Sequence, residues 1–493
     1  MIQAVRVHVG ATVVIERAWL PESAVRDLRA RTTFRHPDAD REGYPSHVRL
    51  MDRVGDRWFR LPRGSVEMVR RVLGLHRVQV EVVRHGVVSR PAGDVVLASA
   101  VDSQLRDYQR AAASALLRSN EAVIQVPTGG GKTRLCVAAV LASRQPALVL
   151  VHTEDLLDQW REAFGYHGVR VRAIAGSGSR WTALGAGEIA VGMVQTIARD
   201  LGRAGNVLGS AGVAVFDEVH KAPAASWMEV ARRLPAAHRW GLTATPERAD
   251  GLGFLIPLLV GPIVYRLASE ILIRRGFLAS PTILPVDSGW APPPECFDAR
   301  RRLKYATAQT KACGSAGVLD RVIRLAAHGA EHGRSGLVLV PRVPAVRAIV
   351  EGLRADGIAA VGIHGTTARS ERSGGIDAAR VGDAQVLVAT TLADEGLDVP
   401  GLDWGVSLMS GRAAGRAKQR LGRLLRRSGR PPVWFELVHQ GKHYDRQWRD
   451  RARTYRGEYG AGSVPHPQPM SVDDALRVAG AAPPDRQRQA RGR

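Results

Sequence analysis

The chain runs to 493 residues, 45% apolar and 24% charged, the balance of folded globular domains and enough material for about three of them at roughly 150 residues each. Its 70 lysines and arginines outnumber 47 acidic residues to leave +23, so the natural partner is a polyanion: nucleic acid first, an anionic membrane surface second. Three cysteines, Cys136, Cys296 and Cys313, are too few and too scattered for a disulfide framework or a zinc site, and a reducing cytoplasm is the simplest location.

At the N-terminus, Val5, Val7 and Val9 alternate with Arg6 and His8, a strand pattern rather than the continuous apolar stretch of a signal peptide. With the Val-rich run at 78–83, it predicts a small α+β or β-rich accessory domain over residues 1–100, whose chemistry the residues do not spell out. Short apolar runs then follow at 122–126, 147–151 and 213–216, and again at 337–340, 386–389 and 433–438. Such runs, alternating with longer mixed segments, are the signature of buried parallel strands joined by helices. Two series predict two α/β domains, over 101–276 and 277–459, hinged near Gly276 just before a proline cluster (Pro281, Pro285, Pro292, Pro293, Pro294). The longest uncharged apolar run, residues 251–265, is broken by Pro257 and Pro262 and too short to span a membrane. From Gly460 onward the sequence lacks apolar periodicity and predicts a basic, mobile tail over 460–493. Residues 401–493 hold 19 basic and 8 acidic side chains, so +11 of the +23 lies there.

The segment 126–133 reads Val-Pro-Thr-Gly-Gly-Gly-Lys-Thr, after a buried strand and before a helical segment, the setting a phosphate-binding loop needs. Backbone N–H groups of Thr128, Gly129, Gly130 and Gly131 can surround an anion, Lys132 can reach the β and γ phosphates, and Thr133 can hold Mg2+. The commonest form of this loop has glycine where Val126 stands, and a plain glycine-rich turn is the bland alternative. Only six of the 70 basic residues are lysine, yet this position keeps the compact ammonium that the loop requires. Asp217 and Glu218 follow the apolar run 213–216, at the carboxyl end of a parallel strand, where α/β folds place ligands. Asp217 suits Mg2+, directly or through water, and Glu218 suits orienting or deprotonating the attacking water.

With these motifs in this order, residues 104–440 resemble the superfamily 2 helicases. The Asp-Glu-Val-His form at 217–220 is similar to the branch of DNA translocases that includes phage branch-migration helicases and eukaryotic repair helicases. The resemblance implies two tandem RecA-like P-loop domains using ATP and Mg2+, and a DNA-binding or substrate-orienting role for the accessory domain over 1–100. Position by position, it implies that Gln109 reads the adenine and that Gly396 and Asp398 meet the nucleotide. It further implies that His220, Thr243, Thr245 and Gln419 couple hydrolysis to movement, and that Arg423 and Arg426 act as arginine fingers. An arginine supplied from another domain is worth ~10³–10⁵ in rate and makes closure a condition of chemistry; Arg420 and Arg427 read instead as a solvated basic face. Thr153, Gln195, Thr196, His364 and Thr366 lie in segments resembling the family's nucleic-acid motifs, where sequence-independent phosphate contacts suit a motor. The three threonines read equally as helix caps, and His220 as an interior histidine.

Tyr444, Trp448 and Tyr455 recur at helical spacing and read as a packing stripe, with Arg446, Arg449, Arg451 and Arg453 on another face. Trp58 and Phe59 suit base stacking or a core. The expectation is an ATP-dependent DNA helicase or translocase acting in repair, recombination or branch migration. The alternatives are an RNA helicase and a motor subunit serving a nuclease or repair partner in a restriction or defence complex.

Overall fold

Continuous apolar strands can be buried on both faces, whereas alternating ones bury a single face, and the protein uses each kind in a different place. The computed structural model describes residues 4–36, 39, 46–86, 104–246, 251–390, 399, 401–408, 418, 420–422, 424–425 and 430–480. They form two compact units, Met1–Val126 with Gly131–Leu267, and Ala268–Arg493 with Pro127–Gly130.

The first unit begins with the alternating kind. Strands β1 (Val5–Val9), β2 (Thr12–Glu16), β5 (Asp52–Val54), β6 (Trp58–Pro62) and β7 (Val80–Arg84) form one sheet in the order β5-β6-β2-β1-β7. Val5, Val7, Val9, Val13, Ile15, Phe59 and Leu61 share one buried core with Val25 and Leu28 of the helix Glu22–Arg31 and Val69 and Leu73 of the helix Val66–Leu75. A two-stranded ribbon, β3 (Thr33–Arg35) with β4 (His47–Arg49), completes an α+β module. Phe59 is therefore core, while Trp58 stays half-buried with its ring edge-on to His8.

The rest of the unit is a parallel sheet of seven strands. These are β8 (Glu121–Gln125), β9 (Ala147–Val151), β10 (Val171–Ile174), β11 (Ile189–Met193), β12 (Val213–Phe216), β13 (His238–Thr243) and β14 (Ile263–Arg266), in the order β10-β11-β9-β12-β13-β8-β14. Every residue of β9, β12 and β13 is buried.

The N-terminal module is fixed to this sheet by buried charge. Arg63 donates from Nε to Glu121 Oε1 at 2.8 Å and from its terminal nitrogens to the carbonyls of Gly10 (3.0 Å), Ala237 (2.8 Å) and Ala236. Arg84 grips both oxygens of Glu121, at 2.7 and 3.0 Å, so the carboxylate is satisfied twice over, as a buried charge must be. A Cβ on Gly64 would run into the carbonyl oxygens of Pro257 and Leu258, the latter at 2.7 Å, so only glycine permits this approach.

The second unit holds a parallel sheet of six strands: β15 (Thr282–Asp287), β16 (Ser335–Leu339), β17 (Ala360–Ile363), β18 (Val386–Ala389), β19 (Leu402–Ser407) and β20 (Val433–Val438), in the order β15-β20-β19-β16-β18-β17. The helix Lys442–Tyr459 buries Tyr444, Trp448 and Tyr455. Arg451 does not join Arg446, Arg449 and Arg453 on the exposed face: it turns inward to Glu436 at 3.0 Å. Glu436 also accepts from Tyr455 Oη (2.5 Å) and Trp434 Nε1 (3.1 Å).

The expected featureless tail does not hold through Gly480. Met470 bridges to Val286 of β15, and the helix Val472–Gly480 buries Val472, Ala475 and Ala479. Its packing face of Val472, Ala475 and Ala479 lies opposite exposed Asp473, Asp474 and Arg477. The basic end of that tail, 481–493, lies outside the described residues. Among the described residues no helix is long and apolar enough to cross a membrane.

Candidate active site and strand-contacting residues

Each parallel sheet delivers its chemistry to the carboxyl ends of its strands. After β8 the chain turns through Pro127 to Gly131 and enters the helix Lys132–Ser143. Gly129 and Gly131 have φ of 80° and 79°, the left-handed region that glycine adopts without penalty, and Gly130 N donates to Pro127 O at 3.0 Å. Thr128 lies in this turn, and Thr133 follows Lys132 in the first helical turn. No side chain caps the helix, whose leading N–H groups and dipole favour an anion. Gln109 belongs to the helix Asp107–Leu117, where its Oε1 accepts from Arg106 N at 3.0 Å. Its side chain lies so close to Gly131 that a Cβ there would overlap it. Gly131 and Gln109 thus pack directly against each other.

After β12, Asp217 is held on both oxygens. Oδ1 accepts from Glu218 N at 2.9 Å and Oδ2 from Trp160 Nε1 at 2.8 Å. Glu218 adopts left-handed φ, 48°, a strained state for a residue with a Cβ, and its Oε2 lies 3.2 Å from His220 Nδ1. The same His220 nitrogen is 3.4 Å from Thr243 Oγ1, which accepts from Thr245 N at 3.0 Å. Asp217, Glu218, His220, Thr243 and Thr245 therefore form a continuous polar path from the end of β12 to the end of β13.

Burial, with the Glu218 charge beside it, pushes the Asp217 carboxyl above the usual range. Burial pushes Glu218 up too, but the His220 hydrogen bond and the charges of Lys132 and His220 outweigh it and hold Glu218 at about 2. A carboxylate held that low is a poor proton acceptor and a good hydrogen-bond acceptor, which favours orienting a water over deprotonating it. Hard carboxylate and hydroxyl oxygens, on Asp217 and Thr133, are the donor set Mg2+ takes, and each Asp217 oxygen bonded to one protein donor has a second lone pair for water or metal. The residues present fit the ion.

The strand-facing candidates divide. Thr153 does cap a helix: its Oγ1 accepts from Leu156 N at 3.3 Å at the start of Glu154–Gly165. Gln195 donates from Nε2 to His152 O at 3.1 Å, tying the loop after β9 to the one after β11. Thr196 lies within the helix Val194–Arg199 and accepts from Gly176 N at 3.4 Å. After β17, Thr366 Oγ1 pairs with His364 Nδ1 at 3.0 Å on the surface. Gly396, Asp398, Gln419, Arg423, Arg426 and Arg427 lie outside the described residues. Arg420, expected on a solvated face, is 8% exposed beside buried Leu421, so it is an interior side chain. Trp160 closes the 149–160 segment that resembles a nucleic-acid motif, but its bond to Asp217 is not readable from sequence, because its spacing from Leu156, Leu157 and Phe164 marks only a core-facing position.

Two family models match in tandem: the Type III restriction enzyme res subunit over residues 102–248, and the helicase conserved C-terminal domain over 317–428. The DNA 3'-5' translocase XPB2 of Sulfurisphaera tokodaii is 30% identical over 370 residues, covering 69% of this chain and 82% of that protein. The DNA 3'-5' helicase XPB of Mycobacterium tuberculosis is 27% identical over 389 residues, 73% of this chain and 65% of that protein. The putative DNA 3'-5' helicase Rad25 of Halobacterium salinarum is 29% identical over 366 residues, and the match spans 56% of its length. Among solved structures, S. cerevisiae Dbp5 bound to RNA and ADP BeF3 shares the fold, with a TM-score of 0.57 at 17% identity, covering 78% of this chain and 97% of that one.

Proposed function

Because this chain belongs to the XPB-like superfamily 2 helicases, ATPases built on two RecA-like sheets, we propose that it is a DNA translocase moving in the 3'-5' direction. The observation that carries this reading is the polar path from Asp217 and Glu218 through His220 to Thr243 and Thr245, under the charge of Lys132. It links the acidic pair to the end of β13 by polar contacts, the 3.2 Å approach of His220 Nδ1 to Glu218 Oε2 being an ion-pair distance.

In this reading Gln109 meets the adenine, and the turn of Thr128, Gly129, Gly130 and Gly131 receives the phosphates with Lys132. Mg2+, held by Thr133 and Asp217, supplies charge neutralisation at the phosphates. Glu218 orients the attacking water. His220 and Thr243 register the loss of the γ-phosphoryl and pass it to Thr245. Gly396 and Asp398 complete the nucleotide contacts, with Gln419 beside them, and Arg423 and Arg426 steady the charge that develops in transfer. Thr153, Gln195, Thr196, His364 and Thr366 hold strand phosphates without reading bases. The N-terminal module adds duplex contacts.

The setting this supports is DNA repair, with fork or junction remodelling as the finer output. The test is ATP hydrolysis with single-stranded DNA, duplex DNA and RNA side by side, followed by displacement from duplexes tailed at either end. DNA stimulation and 3'-5' displacement are expected, with both lost in Lys132→Ala. Preferential stimulation by RNA, or DNA remodelling that appears only with a co-purified nuclease subunit, would move the assignment to an RNA helicase or a restriction motor.

A further inference from the structure

Resting on the ATPase reading above, we infer that Trp160 is a positioning residue that ties the strand-contacting loop to the Asp217 carboxylate. Trp160 has no solvent exposure, and its indole N–H points at Asp217 Oδ2 from 2.8 Å. With Glu218 N on the other oxygen at 2.9 Å, the carboxylate cannot turn about its Cβ–Cγ bond without abandoning a hydrogen bond. Asp217 is buried, so a lost bond is costly to replace. Each oxygen is thereby aimed in one direction, which is what an octahedral, orientation-sensitive ion such as Mg2+ demands of a ligand or of a group that holds its waters.

The same helix carries the other end of the connection. Glu154–Gly165 starts at Thr153, whose hydroxyl caps it through Leu156 N, and the preceding His152 carbonyl is tied to Gln195. Trp160 stands two turns further on, about 10 Å along the axis. Leu156, Leu157 and Phe164 are buried on the same helix, with the Trp160 and Phe164 rings 5.8 Å apart, so the helix is seated as one stiff rod. A phosphate that shifts the 152–153 loop therefore shifts the indole, and the indole shifts the carboxylate. An ordinary core tryptophan needs only some acceptor for its N–H; here the acceptor is the buried acid of the candidate active site.

Trp160→Phe keeps an aromatic ring and deletes the donor. Strand-stimulated kcat is expected to fall about tenfold with KM for ATP within about twofold, and half-saturating Mg2+ to rise several-fold, the size of effect typical for groups that orient a metal ligand. Independently of turnover, the melting-temperature gain from a non-hydrolysable ATP analogue with Mg2+, over the analogue with EDTA, should shrink. Affinity for a labelled single strand should stay at the parent value. Trp160→His restores a ring N–H and should recover much of the metal response. A Phe variant with the parent's Mg2+ dependence, or a His variant as impaired as the Phe one, overturns the inference. Lys132→Ala separates the two levels: if it still hydrolyses ATP, the ATPase reading itself fails, whereas the Trp160 role fails alone when Lys132→Ala is dead and Trp160→Phe behaves as the parent.

Discussion

Two buried carboxylates of the first unit sit at opposite ends of its parallel sheet and are treated in opposite ways. Glu121 opens β8 between two guanidinium groups, Arg63 and Arg84. Burial raises its carboxyl, but Arg84 and Arg63 outweigh burial and hold it below the usual range. Asp217 follows β12 directly, beside a second carboxylate, and its carboxyl is pushed up by burial and by that neighbour. At the amino end of the sheet buried charge is neutralised and serves cohesion. At the carboxyl end Glu218 is neutralised by His220 and Lys132, while Asp217 beside it is pushed up, and strand ends of this kind are where ionisable groups are tuned for chemistry.

The largest test of that contrast is Glu218→Gln. The substitution should cut strand-stimulated ATP hydrolysis by ~10³ or more, while relief of the like-charged Asp217 opposes the lost attraction of His220 and Lys132, so that the melting temperature moves less than in a variant of Arg63. A parallel loss of stability would place this pair among the structural charges and break the comparison. Next is Arg63→Ala, which strips Glu121 of one partner within the buried cluster. It should cost about 3–5 kcal/mol in denaturant unfolding, with nucleotide affinity of the folded fraction retained.

The smallest effect is in pH. The folded pKa of Glu121 lies below its unfolded value, so its stabilising contribution is fully present above the unfolded pKa, roughly 4.3, and is lost as pH falls through the folded one. Melting temperatures of the parent and Glu121→Gln should therefore differ at pH 7 and converge as the medium is acidified below about 4. A gap that widens on acidification reverses the sign and refutes the pairing argument.

The contrast also explains what was legible in the chain. Strands buried on both faces announce themselves as apolar runs, so the cores of both parallel sheets, the glycine-rich turn and the Asp217–Glu218 pair could be placed from the residues alone. Partners distant in sequence could not. Arg63 and Glu121 are 58 positions apart, Trp160 and Asp217 57, and nothing local marks either pair. Arg451 shares its spacing with exposed arginines yet turns inward, because Glu436 on β20 provides a buried anion that only the folded sheet creates. The helix Val472–Gly480, by contrast, did carry a local signal, with Val472, Ala475 and Ala479 recurring at helical spacing and Asp473, Asp474 and Arg477 exposed between them, but the run is short and follows a proline-rich stretch.

The Arg63 anchorage makes the first hundred residues a poor candidate for excision. Cutting the chain just upstream of the ATPase motifs, a natural choice for a minimal fragment, would remove both guanidinium groups that pair with Glu121 and uncover the start of β8. What looks like a detachable appendage is thus part of the foundation on which the seven-stranded sheet stands, and a shortened protein would expose a surface built to be covered.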